Sequence, residues 1–471
     1  MLRASADTIA KVCGGTVLFG AADAYGNGVA MDSRECTPGC VFVALPGERT
    51  DGHDHLVDAM RAGARILVVA RPRERLITEL GEALLRGVAA VAVEDGPRAV
   101  QDLASWHRGR LLCPVIGVTG STGKTSTKDF MRAALSERLH VASTIGNRNN
   151  ELGVPLTLFA AGSDTDALIV EMGMRGVGQI EALCRIARPT LGLVTNVGTS
   201  HVEVVGSEDG IARAKGELVE AIPVDGAVFL NGDDGRSQTL ASRSAAPVIL
   251  YGTDAACEVR GVDIRLDEAG HAEFTLVSPQ GDVEVVLPLP GRHNVYNALA
   301  AASVALRLAV SLEEVARGLA RAEMTPMRME TFLTASGVSV INDAYNANPT
   351  SMRAAIDTLA GVRSEGRRVA VLGDMAELGT LSDVAHLEIG EAVAAAGIDT
   401  LVAVGRRARR IAEGARAAGM DSTEVRPCAT VEEAVEVLDD LLNPGDVVLV
   451  KASRVMGLEA VVEGLVTPRA G

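Results

Sequence analysis

The stretch Cys113-Pro-Val-Ile-Gly-Val-Thr-Gly-Ser-Thr-Gly-Lys-Thr-Ser-Thr-Lys128 constrains the fold more than any other part of the chain. An apolar run leads into Thr119-Gly120-Ser121-Thr122-Gly123-Lys124-Thr125, and a helix-like run from Thr127 to Leu139 follows. Strand, glycine loop and helix in that order cradle nucleotide phosphates. Glycines let backbone N–H groups approach the oxygens, the helix N-terminus adds positive potential, Lys124 reaches the terminal phosphates, and Thr125 is placed to ligate Mg²⁺. The generic pattern has glycine where this chain has Val118, so the loop reads T-G-x-x-G-K-T. The alternative is a glycine-rich turn with a solvated lysine, but all three segments agree on the phosphate reading.

Lysine usage points the same way. Only Lys11, Lys124, Lys128, Lys215 and Lys451 occur, and arginine supplies the other forty positive charges. A chain that uses arginine for generic cations reserves lysine for work that needs a compact or deprotonatable amine. Chance placement is the alternative for Lys11 and Lys128. The net charge of −16 argues against a nucleic-acid partner. No apolar run reaches the roughly 18 residues of a membrane span, and no secretory h-region follows Met1. The seven cysteines are odd in number and scattered, and no second pair or histidine flanks Cys36 and Cys40. A cytoplasmic protein is expected.

At 471 residues, about two to four domains are expected. Residues 1–110 carry strand-like runs at 40–45 and 66–70, and the polar, basic stretch 106–110 reads as a linker. Residues 111–325 alternate strands with helical stretches, which implies a largely parallel sheet with ligands at its strand C-terminal ends. Residues 257–290 read as antiparallel hairpins added at one edge. Residues 326–471 contain buried-strand patterns at 338–341, 369–372, 401–404 and 447–450, separated by helical runs, which makes a second doubly wound α/β unit.

Several residues at strand ends could carry chemistry. Glu171 ends an apolar strand and is placed to hold Mg²⁺, with a solvated loop carboxylate as the alternative. His201 follows another strand, where a histidine could meet a metal or phosphate. Lys215 falls within the apolar stripe Ile211, Ala214, Leu218, Val219 and Ile222 of a helix-like segment, 210–222. A core-facing amine is readily neutral, and so can be a nucleophile or add CO₂ to become a carbamate ligand. A snorkelling lysine is the alternative. Asn294 reads as a helix N-cap, and Asn297 lies inside that helix, where its amide could face an adenine edge. Asp343 follows a strand and could bond ribose hydroxyls. The segments 374–377 and 451–454 follow two more strands.

Taken together these stretches resemble the Mur ligase family, the ATP-dependent amide-bond ligases of peptidoglycan precursor synthesis. The marks are T-G-S-T-G-K-T at 119–125, Glu171, His201, Ala214-Lys215, H-N-x-x-N at 293–297, Arg328 and Asp343. Gly-Asn-Arg-Asn-Asn at 146–150, Asp-Ala-Tyr-Asn-Ala-Asn-Pro at 343–349 and Leu-Gly-Asp-Met-Ala-Glu-Leu-Gly at 372–379 are similar to the member that adds D-alanyl-D-alanine to UDP-N-acetylmuramoyl-tripeptide. The Asp-Asn-Pro-Arg motif usual in the member that adds meso-diaminopimelate is missing.

The resemblance implies three α/β domains: a central P-loop ATPase domain, an N-terminal nucleotide-sugar-binding domain, and a C-terminal Rossmann-like domain that binds the dipeptide. It implies that Thr119, Gly120, Ser121, Thr122, Gly123, Lys124 and Thr125 hold ATP. Thr125 and Glu171 then share one Mg²⁺, with His201 and a carbamylated Lys215 near a second. Asn294 and Asn297 face adenine, and Arg328 and Asp343 face the phosphates and ribose. Substrate contacts are implied at Ser33, Arg34, Asn149 and Asn150, and at Asn346, Asn348 and Ser453 on the dipeptide side. A monomer is expected. Two rivals remain at this point: a folate polyglutamate type of ligase, which does not explain 146–150 and 372–379, and a regulatory NTP switch, which the missing N-K-x-D tetrapeptide disfavours.

Overall fold

The computed structural model describes residues 1–47, 50–81, 87–198 and 207–466. Three main sheets follow one another along the chain. The first runs Thr16–Phe19, Ala89–Ala92, Ile66–Val69, Val41–Val43, Val29–Ala30, parallel except for its first pair. The runs at 40–45 and 66–70 supply two of its strands.

The central sheet has nine strands. Val115–Thr119 lies between Leu191–Val194 and Ala167–Glu171, all parallel. Chain order reverses direction across it, so the loop that leaves Thr119 opens at a topological switch point, where such sheets bind ligands. Both faces are covered, which is why these strands are runs of Val, Ile and Leu rather than alternating patterns. Val259–Leu266, His271–Ser278 and Gly281–Pro290 add an antiparallel meander at one edge, as the alternation in 257–290 predicts.

The third sheet places Ser339–Asn342, Val447–Lys451, Arg368–Gly373, Thr400–Val404 and Val425–Cys428 in parallel order, with Glu330–Leu333 antiparallel at the edge. Four of these strands match the buried patterns in the sequence. The two edge strands do not, because half-exposed runs such as Glu330-Thr-Phe-Leu333 lack a long apolar signature.

The reading of 106–110 as a linker is wrong. Trp106, His107 and Arg108 form the last turn of a helix, Gly96–Arg108. His107 and Arg108 are buried. Arg108 donates to the carbonyls of Ala187 (2.8 Å), Leu111 (3.0 Å) and Arg188 (3.0 Å), and the His107 ring meets the Ala161 carbonyl at 3.0 Å. At His107 and Arg108 the polar composition reflects groups that cap buried backbone carbonyls, whereas Gly109 and Arg110 are exposed. One apolar cluster continues from Leu2 and Ile9 through Leu103 to Val170, Leu218 and Leu230, so the first two sheets share a core.

Candidate functional site

Backbone shape makes the phosphate loop. Gly123 caps the helix Lys124–Ser136 in the left-handed region (φ 77°), and no side chain caps that end. An uncapped helix N-terminus presents N–H groups and positive potential to an anion. The glycines also answer to space. A Cβ at Gly120 would sit 1.8 Å from the Thr195 hydroxyl, and one at Gly123 would sit 2.4 Å from Asn297 Oδ1. The loop is pinned from beneath by Asn196. Its carbonyl accepts from Ser121 N (3.1 Å), its Oδ1 from Thr122 N (3.1 Å), and its Nδ2 donates to Thr122 Oγ1 (2.9 Å). Thr119 faces the sheet and donates to the Met172 carbonyl at 2.9 Å, so it supports the loop and does not line the cleft beside it.

Glu171 pairs in register with Val118, which puts its carboxylate level with the start of the loop. It is buried; Oε2 accepts from Thr125 Oγ1 at 3.0 Å and Oε1 from Asn149 Nδ2 at 2.8 Å. A hydroxyl and a carboxylate at this spacing are hard oxygen donors suited to Mg²⁺, which keeps much of its water and takes few protein ligands. Among the described residues no group of three or more His, Cys, Asp or Glu side chains could hold a metal without other donors. Asn150 has a local role, accepting from Gly153 N at 2.8 Å at the start of the helix Gly153–Ala160.

Lys215 sits on the helix Glu208–Ala221, and its five stripe partners are all buried. Two glycines paired in neighbouring strands let that helix approach. A Cβ at Gly117 would lie 2.7 Å from Leu218, and one at Gly192 would lie 2.8 Å from Ile222. Lys215 is 1% exposed yet lines the cleft. Burial, and then the like charge of Lys124, push its amine well below the ordinary lysine range. Two residues on, Glu217 caps the neighbouring helix Gln179–Ala187, accepting from Gly178 N and Glu181 N at 2.6 and 3.0 Å. Lys124 itself donates to the Gly120 carbonyl at 2.7 Å; burial lowers its pKa, and Glu171 opposes that shift. His201 lies outside the described residues.

The helix His293–Arg307 starts after Arg292, so Asn294 is not its N-cap. It lies one residue inside the helix and donates back to the Pro290 carbonyl at 2.8 Å. Asn297 donates to Asn294 Oδ1 (3.0 Å) and accepts from Thr127 Oγ1 (3.2 Å), which ties this helix to the phosphate-loop helix. Both asparagines still line the cleft.

The opposite wall belongs to the third sheet. Arg328 reaches across to Thr125 Oγ1 (3.2 Å) and stacks on the Tyr345 ring at 4.2 Å. Its Nε is buried with no hydrogen-bond partner among the described residues. The flanking residues Met327 and Met329 hold positive φ (61° and 52°), a strained backbone for side chains of this size. Asp343 accepts from Lys451 Nζ at 2.5 Å and from Met329 N at 3.3 Å. Burial lowers the Lys451 pKa against the pull of Asp343. Asn346 gives its carbonyl to Lys451 (2.8 Å), Asn348 caps the helix Pro349–Gly361, and Ser453 accepts from Ala376 N at 2.8 Å.

These two walls enclose a cleft of about 1020 Å³. Gly120 to Thr125, Asn149, Asn150, Glu171, Lys215, Asn294, Asn297, Arg328, Asp343, Asn346, Asn348 and Ser453 all line it. Ser33 and Arg34 do not. They form a turn on the first unit in which Asp32 binds the Arg34 guanidinium at 2.5 Å, and neighbouring Glu35 meets Arg148 at 2.5 Å. Sequence reasoning assigned no site role to Asn196, Tyr345 or His293, and singled out Lys451 only through the rarity of lysine and the strand end at 451–454. Asn196 and Tyr345 act by holding other groups, which sequence alone does not display.

Comparison with known proteins agrees with this geometry. The Mur ligase middle domain matches residues 118–305, the glutamate ligase domain of Mur ligases 327–454, and the Mur ligase family catalytic domain 27–108. The chain is 41% identical over 468 residues to the UDP-N-acetylmuramoyl-tripeptide–D-alanyl-D-alanine ligase of Mycobacterium tuberculosis, covering 93% of this chain and 92% of that one. It superposes on the crystal structure of MurF from Acinetobacter baumannii with a TM-score of 0.87 at 31% identity, over 99% of both chains. The structure of MurF ligase from Thermotoga maritima in complex with ADP matches with a TM-score of 0.78 at 27% identity, over 93% of this chain and 97% of that one. A phosphate loop at a switch point, faced across a cleft by a second α/β sheet and matched along nearly its whole length, makes this chain a member of the Mur ligase family.

Proposed function

We propose that the chain is an ATP-dependent ligase joining D-alanyl-D-alanine to UDP-N-acetylmuramoyl-tripeptide, with ADP and phosphate released. The observation that carries this is the cleft, where Lys124, Thr125, Glu171 and Lys215 on one wall face Arg328, Asp343 and Lys451 on the other. In this reading residues 1–110 bind the UDP end through the Ser33-Arg34 turn, 111–325 bind ATP, and 326–471 bind the dipeptide. Asn346, Asn348 and Ser453 line the dipeptide side.

The free carboxylate of the tripeptide attacks the γ-phosphorus and ADP leaves, giving an acyl phosphate. The dipeptide's amine, as the free base, then attacks the acyl carbon, and phosphate departs from a tetrahedral intermediate. Two anions meet in the first step. Lys124 and Arg328 offset their repulsion and stabilise charge on the transferring group. Mg²⁺ held by Thr125 and Glu171 would add Lewis-acid stabilisation of the same charge. Asn149 orients Glu171 for that role. Lys215, whose amine burial pushes well below the ordinary lysine range, could add CO₂ with loss of a proton, and that carbamate, with His201, would be a donor to a second Mg²⁺. An acyl phosphate hydrolyses readily, so the third unit's wall excludes water. The chain works as a cytoplasmic monomer.

Phosphate release from ATP tests this reading. It should require both the nucleotide-tripeptide and D-alanyl-D-alanine; ADP formed with neither present, or amide formed with glutamate, refutes it. Lys215→Ala should lose activity and regain part of it with added short carboxylates. An absence of rescue removes the carbamate from the proposal.

A further inference from the structure

A second, open cavity, of about 440 Å³, lies on the third unit. It is lined by Arg406, Arg407, Arg409 and Arg410, four arginines within five residues of a chain whose net charge is −16. The carboxylates at its rim, Asp383 and Glu413, are both taken by Arg410, at 3.3 and 2.6 Å. Among the described residues no carboxylate lies within ion-pair distance of Arg406, Arg407 or Arg409.

The cluster stands at the start of the helix Arg409–Ala417, which has no side-chain cap and no acidic residue in its first turn. The positive potential of that helix N-terminus is met in part by the Asp374 carboxylate. Arg406, Arg407 and Arg409 are exposed, and their like charges crowd one another. A bound anion would offset that crowding. Arginine's planar donor fork matches phosphate oxygens, and the volume suits a small molecule.

The cavity is also wired to the cleft. Asp374 Oδ1 accepts from Arg407 N (2.9 Å) and Ala408 N (2.7 Å). Cavity-lining Ser382 gives its carbonyl to His386 Nδ1 (2.6 Å), and His386 Nε2 accepts from Met375 N (2.9 Å). The next residues, Ala376, Glu377 and Leu378, line the cleft. We propose that the arginine cavity is a binding site for a small oligophosphate-class anion, and that its occupancy adjusts the 374–378 loop and hence the ligation rate.

The probe is tripolyphosphate, titrated calorimetrically into the full chain whose phosphate loop is saturated with Mg²⁺ and a non-hydrolysable ATP analogue. One further binding event is expected in low salt, weakened by roughly tenfold or more in Arg406→Ser/Arg407→Ser/Arg409→Ser. Those changes leave the backbone bonds to Asp374 in place, and unchanged melting and basal rate certify the fold. Arg406→Ser/Arg409→Ser serves if the triple variant does not fold. Parallel titrations with inorganic phosphate and ribose 5-phosphate distinguish a free oligophosphate from a phosphate ester. No further binding event, equal binding by the variant, or preference for polyglutamate over tripolyphosphate overturns the site. Binding with an unchanged ligation rate overturns the coupling. The binding measurements do not depend on the proposed ligation, so the two readings can fail separately.

Discussion

The two seams of the molecule are built in opposite ways. Between the first and second units a single apolar cluster runs through, and the polar groups present, His107 and Arg108, are buried against backbone carbonyls. Between the second and third units the apolar clusters stop short: those of the third unit begin at Met329 and Val338 and contain nothing from the central sheet. What crosses instead is polar. Arg328 meets Thr125, Arg175 meets Glu377 at 3.8 Å, and Arg363 N donates to the Glu268 carbonyl at 2.8 Å. Polar contacts exchange with water at little cost, whereas a shared core does not separate without exposing apolar area. The first seam therefore fixes a platform, and the second is where the molecule can open around its cleft.

The sharpest way to break that contrast is Arg108→Ala. It strands buried carbonyl acceptors and should cost about 3 kcal/mol, seen as a lower urea midpoint for the first two units while the third is unaffected. A loss confined to a few tenths of a kcal/mol would mean that the first seam is as replaceable as the second. Next, Tyr345→Leu removes the surface on which Arg328 stacks and should lower kcat by roughly tenfold with a smaller change in the ATP KM, while Tyr345→Phe keeps most activity. Equal loss in both variants would assign Tyr345 to its hydroxyl.

His293 offers a pH test at the second seam. Burial drives its pKa down to about 4, with Asp343 pulling up and Lys451 pushing down from the third unit. In the unfolded chain it binds a proton below about 6.5, whereas the folded chain stays neutral. Its contribution to stability is therefore complete at neutral pH and is lost as pH falls from about 6.5 toward 4. His293→Gln should flatten the slope of the melting temperature in that window, and an unchanged slope would place the titration elsewhere. The smallest effect is expected for Arg175→Ala. That pair is largely exposed, so stability should change by about 0.5 kcal/mol or less, with salt erasing the difference. A larger loss would make the second seam a structural joint rather than an opening one.

The sequence revealed what depends on local pattern. The central strands were legible because both faces are buried, and the 119–125 loop because the glycines of its motif are also required by space. Lys215 was legible because a charged residue inside an apolar stripe demands explanation. The failures share another cause. The helix end at 106–110 looked like a linker because its polar groups pair with carbonyls some 80 positions away, at 187 and 188. Asn294 looked like a cap, but the helix starts at His293, two residues before the start that a cap at 294 implies. Tyr345, Asn196 and Lys451 act on neighbours brought near by folding, and no local spacing encodes that.

The economy of lysine has a practical corollary. Lys128, Lys215 and Lys451 are buried, and Lys124 is drawn against the Gly120 carbonyl. Lys11 alone holds its amine out, in a solvent-exposed pair with Asp7 on the first unit. Apart from the α-amine, an amine-reactive dye or bead would therefore meet one fast-reacting lysine, on the rigid platform rather than at the cleft. Attached there, the molecule would be tethered in a single orientation with its working face free.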